Sequence, residues 1–236
     1  MKTTSHRKLG IIGGAGPYAS ALFYHMLCKA HYSKIHSEER SSTSMPEVVI
    51  INYPFTRGLT VSESQAHARL LCAELQYCID LLAQQQVEKM AITCNTLHAF
   101  VSSLDLKRIE LISIPALVMQ TAIQQGLRKL LILATQTTRS SQLYCHPNLE
   151  AIFPFSEEQA IVDQVIDRIL SGVLTETDSQ LLCRLIKTIR ERESIEGVVL
   201  GCTDLPVLHH SYPLKIGSLP LFDSIQIPAQ ALINKN

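Results

Sequence analysis

The 236-residue sequence has no surplus of either charge: Lys+Arg and Asp+Glu number 21 each, so the formal net charge is zero. Such a chain has no electrostatic reason to seek nucleic acid or an anionic membrane, and neither is expected as a partner. It also lacks a long hydrophobic run, since no window approaches the roughly 18 apolar residues of a membrane span. Low-complexity tracts are missing, and 46% apolar with 18% charged residues is the composition of an ordinary folded protein. The start, MKTTSHRKLGIIGGAGP, has only a short apolar stretch broken by glycines and no cleavage-type end, so no signal peptide is expected. Seven cysteines cannot all pair within one chain, and no CxxC is among them. Reduced thiols and a cytoplasmic location are the expectation. A chain of this length buries a sizeable core as one domain or two of about 100–150 residues.

What is present is an echo. Ile195–Leu208 (IEGVVLGCTDLPVL) repeats the pattern of Val87–Phe100 (VEKMAITCNTLHAF), 108 positions earlier. Both read apolar residue, Glu, a short apolar run, one small residue, Cys, two hydrogen-bonding residues, Leu. Cys94 falls on Cys202, and Asn95–Thr96 falls on Thr203–Asp204. An apolar run that halts at polar residues reads as a buried parallel strand ending in a loop. Each copy therefore places a cysteine at the carboxyl end of a strand, where open α/β sheets assemble their sites.

The rest of the chain fits that frame. Lys8–Ile12 reads as a strand, GGAGP as a tight turn, and Tyr18–Tyr32 as a helix with Pro17 at its first position. Lys34–Pro46 is polar and reads as a long exposed loop. Glu47–Asn52 is the second strand, Ser62–Gln86 a helix with a stripe at Leu71, Leu75, Cys78 and Leu82, and Met90–Thr93 the third strand. Leu111–Ile114 is a short strand, and Pro115 opens a helix that Gly126 closes. Lys129–Ala134 begins the pattern again. Helices follow at Glu157–Leu170 and Asp178–Arg192, then the strand Gly197–Leu200, a short helix, the strand Leu219–Phe222 and a helix Ser224–Ile233. The fold class expected is α/β: two similar lobes, each a short, mostly parallel sheet flanked by helices, related by a pseudo-twofold with the site between them. The lobes are drawn as residues 1–115 plus 223–236, and 116–222.

Two thiols facing each other across a cleft can invert a stereocentre: one takes a proton from carbon while the other supplies one to the opposite face. A free cysteine, with a pKa of about 8.5, needs little tuning for that role. A cysteine just before a helix N-terminus feels partial positive charge, which favours thiolate. Asn95–Thr96 and Thr203–Asp204 sit where such helices would begin, with side chains that cap the helix or leave backbone N–H groups to hold a carboxylate. The Cα–H of an amino acid is very weakly acidic, so the site must grip the carboxylate and exclude water. There is no clear pyridoxal or metal signature, and the mechanism expected is free of cofactor and metal.

At these residues the chain resembles the aspartate/glutamate racemase family. The resemblance is carried by LGIIGGAGP near the start, CNTLH at Cys94–His98, Leu133–Ala134–Thr135, FPFSEEQ at Phe153–Gln159 and LGCTDLP at Leu200–Pro206. It implies a two-lobed fold, Cys94 and Cys202 as the two acid/base thiols, and a small amino-acid substrate, aspartate or glutamate. Asn95, Thr96, Thr135 and Thr203 would hold its α-carboxylate and amino group, and the C-terminal helix would pack on the first lobe. Arg57, in NYPFTR, resembles an arginine that some members use for the distal carboxylate. A homodimer is an expectation that rests on the resemblance alone. The chain departs from the family in having GCTD for GCTE, Pro228–Ala229 where His–Ala is common, and no lysine between Lys129 and Lys187.

Other readings stand beside these. Hydantoin racemases, maleate isomerases and arylmalonate decarboxylases share the scaffold, though retention of both cysteines with their polar followers favours racemisation. A non-catalytic amino-acid binding protein is a third class. Gly14–Ala19 matches the dinucleotide fingerprint of an oxidoreductase, but the second strand ends Asn52–Tyr53–Pro54 rather than in an acid for ribose. Cys28, Cys72, Cys78 and Cys183 fall in helical patterns and read as packing, while Cys145 stays open. Cys94 and His98 supply only two zinc ligands of four. His209–His210 reads as a solvated surface.

Overall fold

The short apolar runs of the sequence become eight parallel strands. In the computed structural model, which describes residues 8–35, 44–56 and 65–234, they form two four-stranded sheets. The first contains β1 (Leu9–Gly13), β2 (Val48–Asn52), β3 (Lys89–Ile92) and β4 (Glu110–Ile112) in the order β2-β1-β3-β4. The second contains β5 (Lys129–Leu133), β6 (Glu150–Ile152), β7 (Gly197–Leu200) and β8 (Leu221–Asp223) in the order β6-β5-β7-β8. Every pairing is parallel. The two-lobed α/β architecture read from the sequence is therefore the one observed.

The central strands β1, β3 and β7 are buried at every residue, Lys89 at the start of β3 included, because helices cover both faces. Edge strands β2, β4 and β6 are more open. The three-residue β6 has no signature in the sequence, because Glu-Ala-Ile is too short to show a period. Helices connect the strands: α1 (Pro17–Tyr32), α2 (Gln65–Gln84), α3 (Ile114–Gln124), α4 (Gln136–Ser140), α5 (Ser156–Leu170), α6 (Glu176–Glu193), α7 (Asp204–Ser211) and α8 (Gln226–Ile233). A 3₁₀ helix, Thr96–Ser103, follows β3. The five-residue α4 is likewise too short to announce itself in the pattern. Pro17 occupies the start of α1, where its missing N–H costs nothing. Most of the polar stretch 34–46 lies outside the described residues.

One continuous apolar core joins the lobes. It runs from Leu9, Ile11 and Phe23 of the first through Leu131, Val198 and Leu205 of the second to Ala229 and Leu232 of α8. The turn after β1 fits closely against the neighbouring chain. Gly14 has φ +107°, and a Cβ there would lie 2.1 Å from the Tyr53 carbonyl oxygen, so no side chain fits.

Helix α8 follows β8 yet packs on α1. Lys89, only 2% exposed, ties it down: its Nζ donates to the Ala231 carbonyl at 3.1 Å and lies 3.4 Å from Glu110 Oε1. Ala231 is in the last turn of α8, where carbonyls have no partner within the helix. Lys89→Ala should lower stability in urea by about 1.5–3 kcal/mol, the contribution of a hydrogen bond from a charged donor, while the Ala231 carbonyl keeps the Asn234 N–H. Amide exchange in α8 should rise with it. An unchanged urea midpoint and α8 protection pattern would show that the tie contributes nothing.

Candidate active site

Both sheets share a topological switch point. From β1 the chain steps one way to β2 and then across to β3, and β5, β6 and β7 repeat the pattern. The crevice outside the carboxyl ends of such a strand pair is where α/β sheets bind ligands. Four segments leave these ends: residues 13–16, 93–95, 134–135 and 201–203. The sequence-predicted residues Cys94, Asn95, Thr135, Cys202 and Thr203 lie on them, and Thr96 opens the 3₁₀ helix that follows.

Hydrogen bonds draw the two sets together. Thr96 Oγ1 lies 3.0 Å from Thr135 Oγ1 and 3.2 Å from Thr138 Oγ1, and Thr135 and Thr138 bond each other at 3.1 Å. These three hydroxyls form a closed triangle across the lobes. Asn95 is held at both ends of its amide: Nδ2 donates to Ser224 Oγ at 3.2 Å, and Oδ1 accepts from the Tyr144 hydroxyl at 2.7 Å. Thr203 Oγ1 donates to the Thr93 carbonyl at 3.2 Å. Thr93 Oγ1 in turn donates to the Ile12 carbonyl and lies 3.1 Å from Ser20 Oγ, which receives the Gly14 N–H.

Neither Asn95 nor Thr203 caps a helix with its side chain. Of the two uses the sequence left open, capping is the one the structure removes. Each polar group instead reaches across to the other lobe.

Cys94 and Cys202 are 8% and 7% exposed, so they have nearly equal access to solvent. Burial raises both thiols. Cys94 is pushed up to about 11, first by desolvation, against which hydrogen bonds from the Leu97 and Thr96 backbone and the Thr96 side chain pull down. The Asp204 charge adds to the rise. Cys202 is raised well above the usual thiol range by burial, then by the Asp204 charge, with the charge of Cys94 contributing. Desolvation thus outweighs the helix N-terminal effect that favours a thiolate. Asp204 is itself raised to about 6 by burial, although it accepts a hydrogen bond from Cys202 Sγ at 3.5 Å. Tyr144, fully buried, is raised by burial and by the Cys202 charge.

His98 is buried with both ring nitrogens engaged. The Ile114 N–H donates to Nε2 at 3.2 Å, which leaves Nδ1 to carry the proton and donate to the Cys94 carbonyl at 2.8 Å. That arrangement removes His98 as a metal ligand, and burial lowers its pKa and keeps it neutral. Among the described residues no group of three or more His, Cys, Asp or Glu could hold a metal ion. His210 is exposed and His209 half-buried, and both have partners: His210 Nε2 lies 2.9 Å from Asp223 Oδ2, and His209 Nδ1 accepts the Leu214 N–H. Asp223 also accepts the N–H groups of Ile225 and Gln226, anchoring the start of α8.

Arg57 lies outside the described residues. Cys78 is fully buried as expected, all seven cysteines are unpaired, and Cys145 is exposed. Sequence reasoning missed Tyr144, Ser224 and Thr138. Only Thr138 had a signal, the Thr-x-x-Thr spacing from Thr135, which accepts the Thr138 N–H as an N-cap. The FPFSEEQ motif has a structural role, since Gln159 Nε2 donates at 2.8 Å to the Ala134 carbonyl and so fixes the end of β5.

Solved structures share this architecture. An aspartate racemase homologue from Pyrococcus horikoshii OT3 is 27% identical with a TM-score of 0.76, covering 96% of this chain and 97% of its own. The aspartate racemase of Picrophilus torridus is 22% identical with a TM-score of 0.76, covering 96% and 93%. Francisella tularensis glutamate racemase in complex with D-glutamate shares the fold at 18% identity and a TM-score of 0.61, covering 96% and 80%. No curated protein sequence matches the chain. The sequence pattern of Asp/Glu/Hydantoin racemase, however, matches residues 12–232, across both sheets and both cysteine-bearing loops. The chain belongs to the Asp/Glu/hydantoin racemase family and is an isomerase.

Proposed function

We propose that this racemase acts on aspartate, glutamate or both, with Cys94 and Cys202 as its two acid/base thiols and no cofactor. The observation that carries the reading is geometric. Thr203, next to Cys202, donates to the carbonyl of Thr93, next to Cys94, at 3.2 Å, so the two cysteine-bearing turns meet. Each leaves a central strand at the switch point of its own sheet.

In this reading one thiolate removes the Cα proton and becomes a thiol. The electron pair stays on carbon and spreads into the carboxylate, and the other thiol delivers its proton to the opposite face. The hydroxyls of Thr96, Thr135 and Thr203 and the remaining Asn95 N–H bind the α-carboxylate and amino group. Preorganised donors in a water-poor site lower the cost of the developing negative charge. The aspartate and glutamate racemases of like fold supply the choice of substrate.

The test is incubation of both enantiomers of aspartate and glutamate in deuterium oxide. Wild type should incorporate deuterium at Cα and racemise at least one of the pairs. Cys94→Ser and Cys202→Ser should each lose racemisation by about 10²–10⁴-fold, the usual contribution of a positioned acid or base. Racemisation at the wild-type rate by both single variants would exclude the mechanism.

A second test concerns the hydroxyl triangle. Thr135→Val should lower kcat/KM by roughly ten- to a hundredfold, the loss of a hydrogen bond to a charged group. Most of that should appear in KM, while Thr121→Val, whose hydroxyl bonds only its own helix at Leu117, should leave kinetics unchanged. Equal kinetics in the two variants would remove Thr135 from the site.

A further inference from the structure

The two thiols are alike in depth but not in partners. At Cys94 the N–H groups of Thr96 and Leu97 and the Thr96 hydroxyl act to lower the thiol, which favours a charged sulfur. Cys202 instead donates its S–H to the Asp204 carboxylate, Sγ to Oδ2 3.5 Å. An acceptor at that position favours the protonated sulfur. The carboxylate is held there by shape: its other oxygen sits against Gly16, where a Cβ would lie 2.5 Å from Oδ1. The glycine turn of the first lobe thus makes room for the acid of the second.

We propose that Asp204 is a positioning residue that keeps the proton on Cys202, so that the pair enters the reaction as Cys94 thiolate and Cys202 thiol. The inference rests on the two-thiol reading above and adds an order to it. The titratable groups facing Cys202 are Asp204 on α7, Cys94 from the first lobe and the Tyr144 phenol from the segment after α4. The phenol stays neutral, because burial and the Cys202 charge both raise it. Other buried neighbours in the same core cluster, such as Leu200 and Leu205, are apolar. Asp204 is therefore the carboxylate that distinguishes the two sulfurs, acting on Cys202 by both charge and hydrogen bond and on Cys94 by charge alone.

The proton balance gives the arrangement a consequence. After Cys94 has taken the Cα proton and Cys202 has given its own to the opposite face, Cys202 is a thiolate beside a carboxylate. That repulsion disfavours the swapped state, so after product leaves, Cys94 gives up its proton, Cys202 takes one by way of water, and the starting pair is restored. No oxidant or reductant takes part.

Alkylation by iodoacetamide reads the order, because only the thiolate reacts and the two cysteine residues are nearly equally exposed. Full-length enzyme is treated from pH 6 to 10, each cysteine is followed by mass spectrometry, and exposed Cys145 serves as the internal standard. In wild type, Cys94 should react about tenfold or more faster than Cys202, a separation of one pKa unit or more. Asp204→Asn removes the nearby negative charge, so the Cys202 transition should move to lower pH and its rate rise about tenfold. Cys94 should respond less, and Asp204→Glu should keep the wild-type order.

Cys202 reacting as fast as Cys94 in wild type, or not responding to Asp204→Asn, would overturn the proposal. A merely structural role for Asp204 would change Cys94 and Cys202 equally, measured against Cys145, and would overturn it too. If circular dichroism shows Asp204→Asn unfolded, the wild-type rate ratio alone decides. The two readings fail separately. Racemisation by both Cys→Ser variants sinks the two-thiol mechanism, whereas inactive variants with Cys202 alkylated first sink only the assignment of order.

Discussion

A parallel strand covered on both faces can present chemistry only at its ends, and that constraint organises this protein. Strands β1, β3 and β7 are buried throughout, and β5 at all but its first residue. Nothing along their length can meet a substrate. Their carboxyl ends meet at the switch point of each sheet, so one turn from each central strand opens toward one place. Small and hydroxylic residues occupy those turns because backbones approach closely there. A Cβ on Gly13 would lie 2.4 Å from Ser20 Oγ, and one on Gly201 would lie 3.1 Å from Ala134 Cβ.

The same burial works against ionisation. A thiol moved from its usual range to about 11 corresponds to roughly 3 kcal/mol against the thiolate, at 1.36 kcal/mol per unit. Donors from the Thr96 and Leu97 turn recover part of that at Cys94, while Asp204 adds to it at Cys202. In the proposed reaction the amino-acid substrate brings an ammonium group, and a positive charge within a few Å favours thiolate in a medium of low dielectric. On that reading, staying protonated until the ammonium group arrives protects the thiols from adventitious reaction. Low exposure alone would not do so, because reactivity follows the thiolate fraction.

The sequence exposes the parts of this design that repeat. Cys94 and Cys202 are legible because each follows an apolar run and precedes hydrogen-bonding residues, and an echo of 108 positions is visible without coordinates. Strands longer than three residues and helices with a clear stripe, such as Leu71, Leu75, Cys78 and Leu82, are legible for the same reason. What lies hidden depends on long-range meeting. Tyr144 stands in an irregular stretch with no period, and its partner Asn95 is 49 positions away. Ser224 meets Asn95 across 129 positions. The helix-dipole argument is sound in direction but omits desolvation, which a sequence cannot display. His210 is exposed, as polarity suggests, but its partner Asp223 on the next strand is 13 positions away and no local pattern announces it.

The seam between the lobes joins two kinds of contact of unequal strength. The apolar core through α1, α7 and α8 is continuous across it, and opening that core would expose many buried side chains at about 25 cal/mol per Å². The polar part is Thr96 with Thr135 and Thr138, Asn95 with Tyr144, and Thr203 with the Thr93 carbonyl. Each such bond contributes a net of about 0.5–1.5 kcal/mol, because water or a ligand can replace it. Both cysteines are under a tenth exposed, so in the proposed reaction a substrate reaches them only if something yields. The polar seam yields at the smaller cost, and a carboxylate can accept from the hydroxyls released. The hydroxyls that join the two lobes are the same groups that the proposed function gives to the substrate.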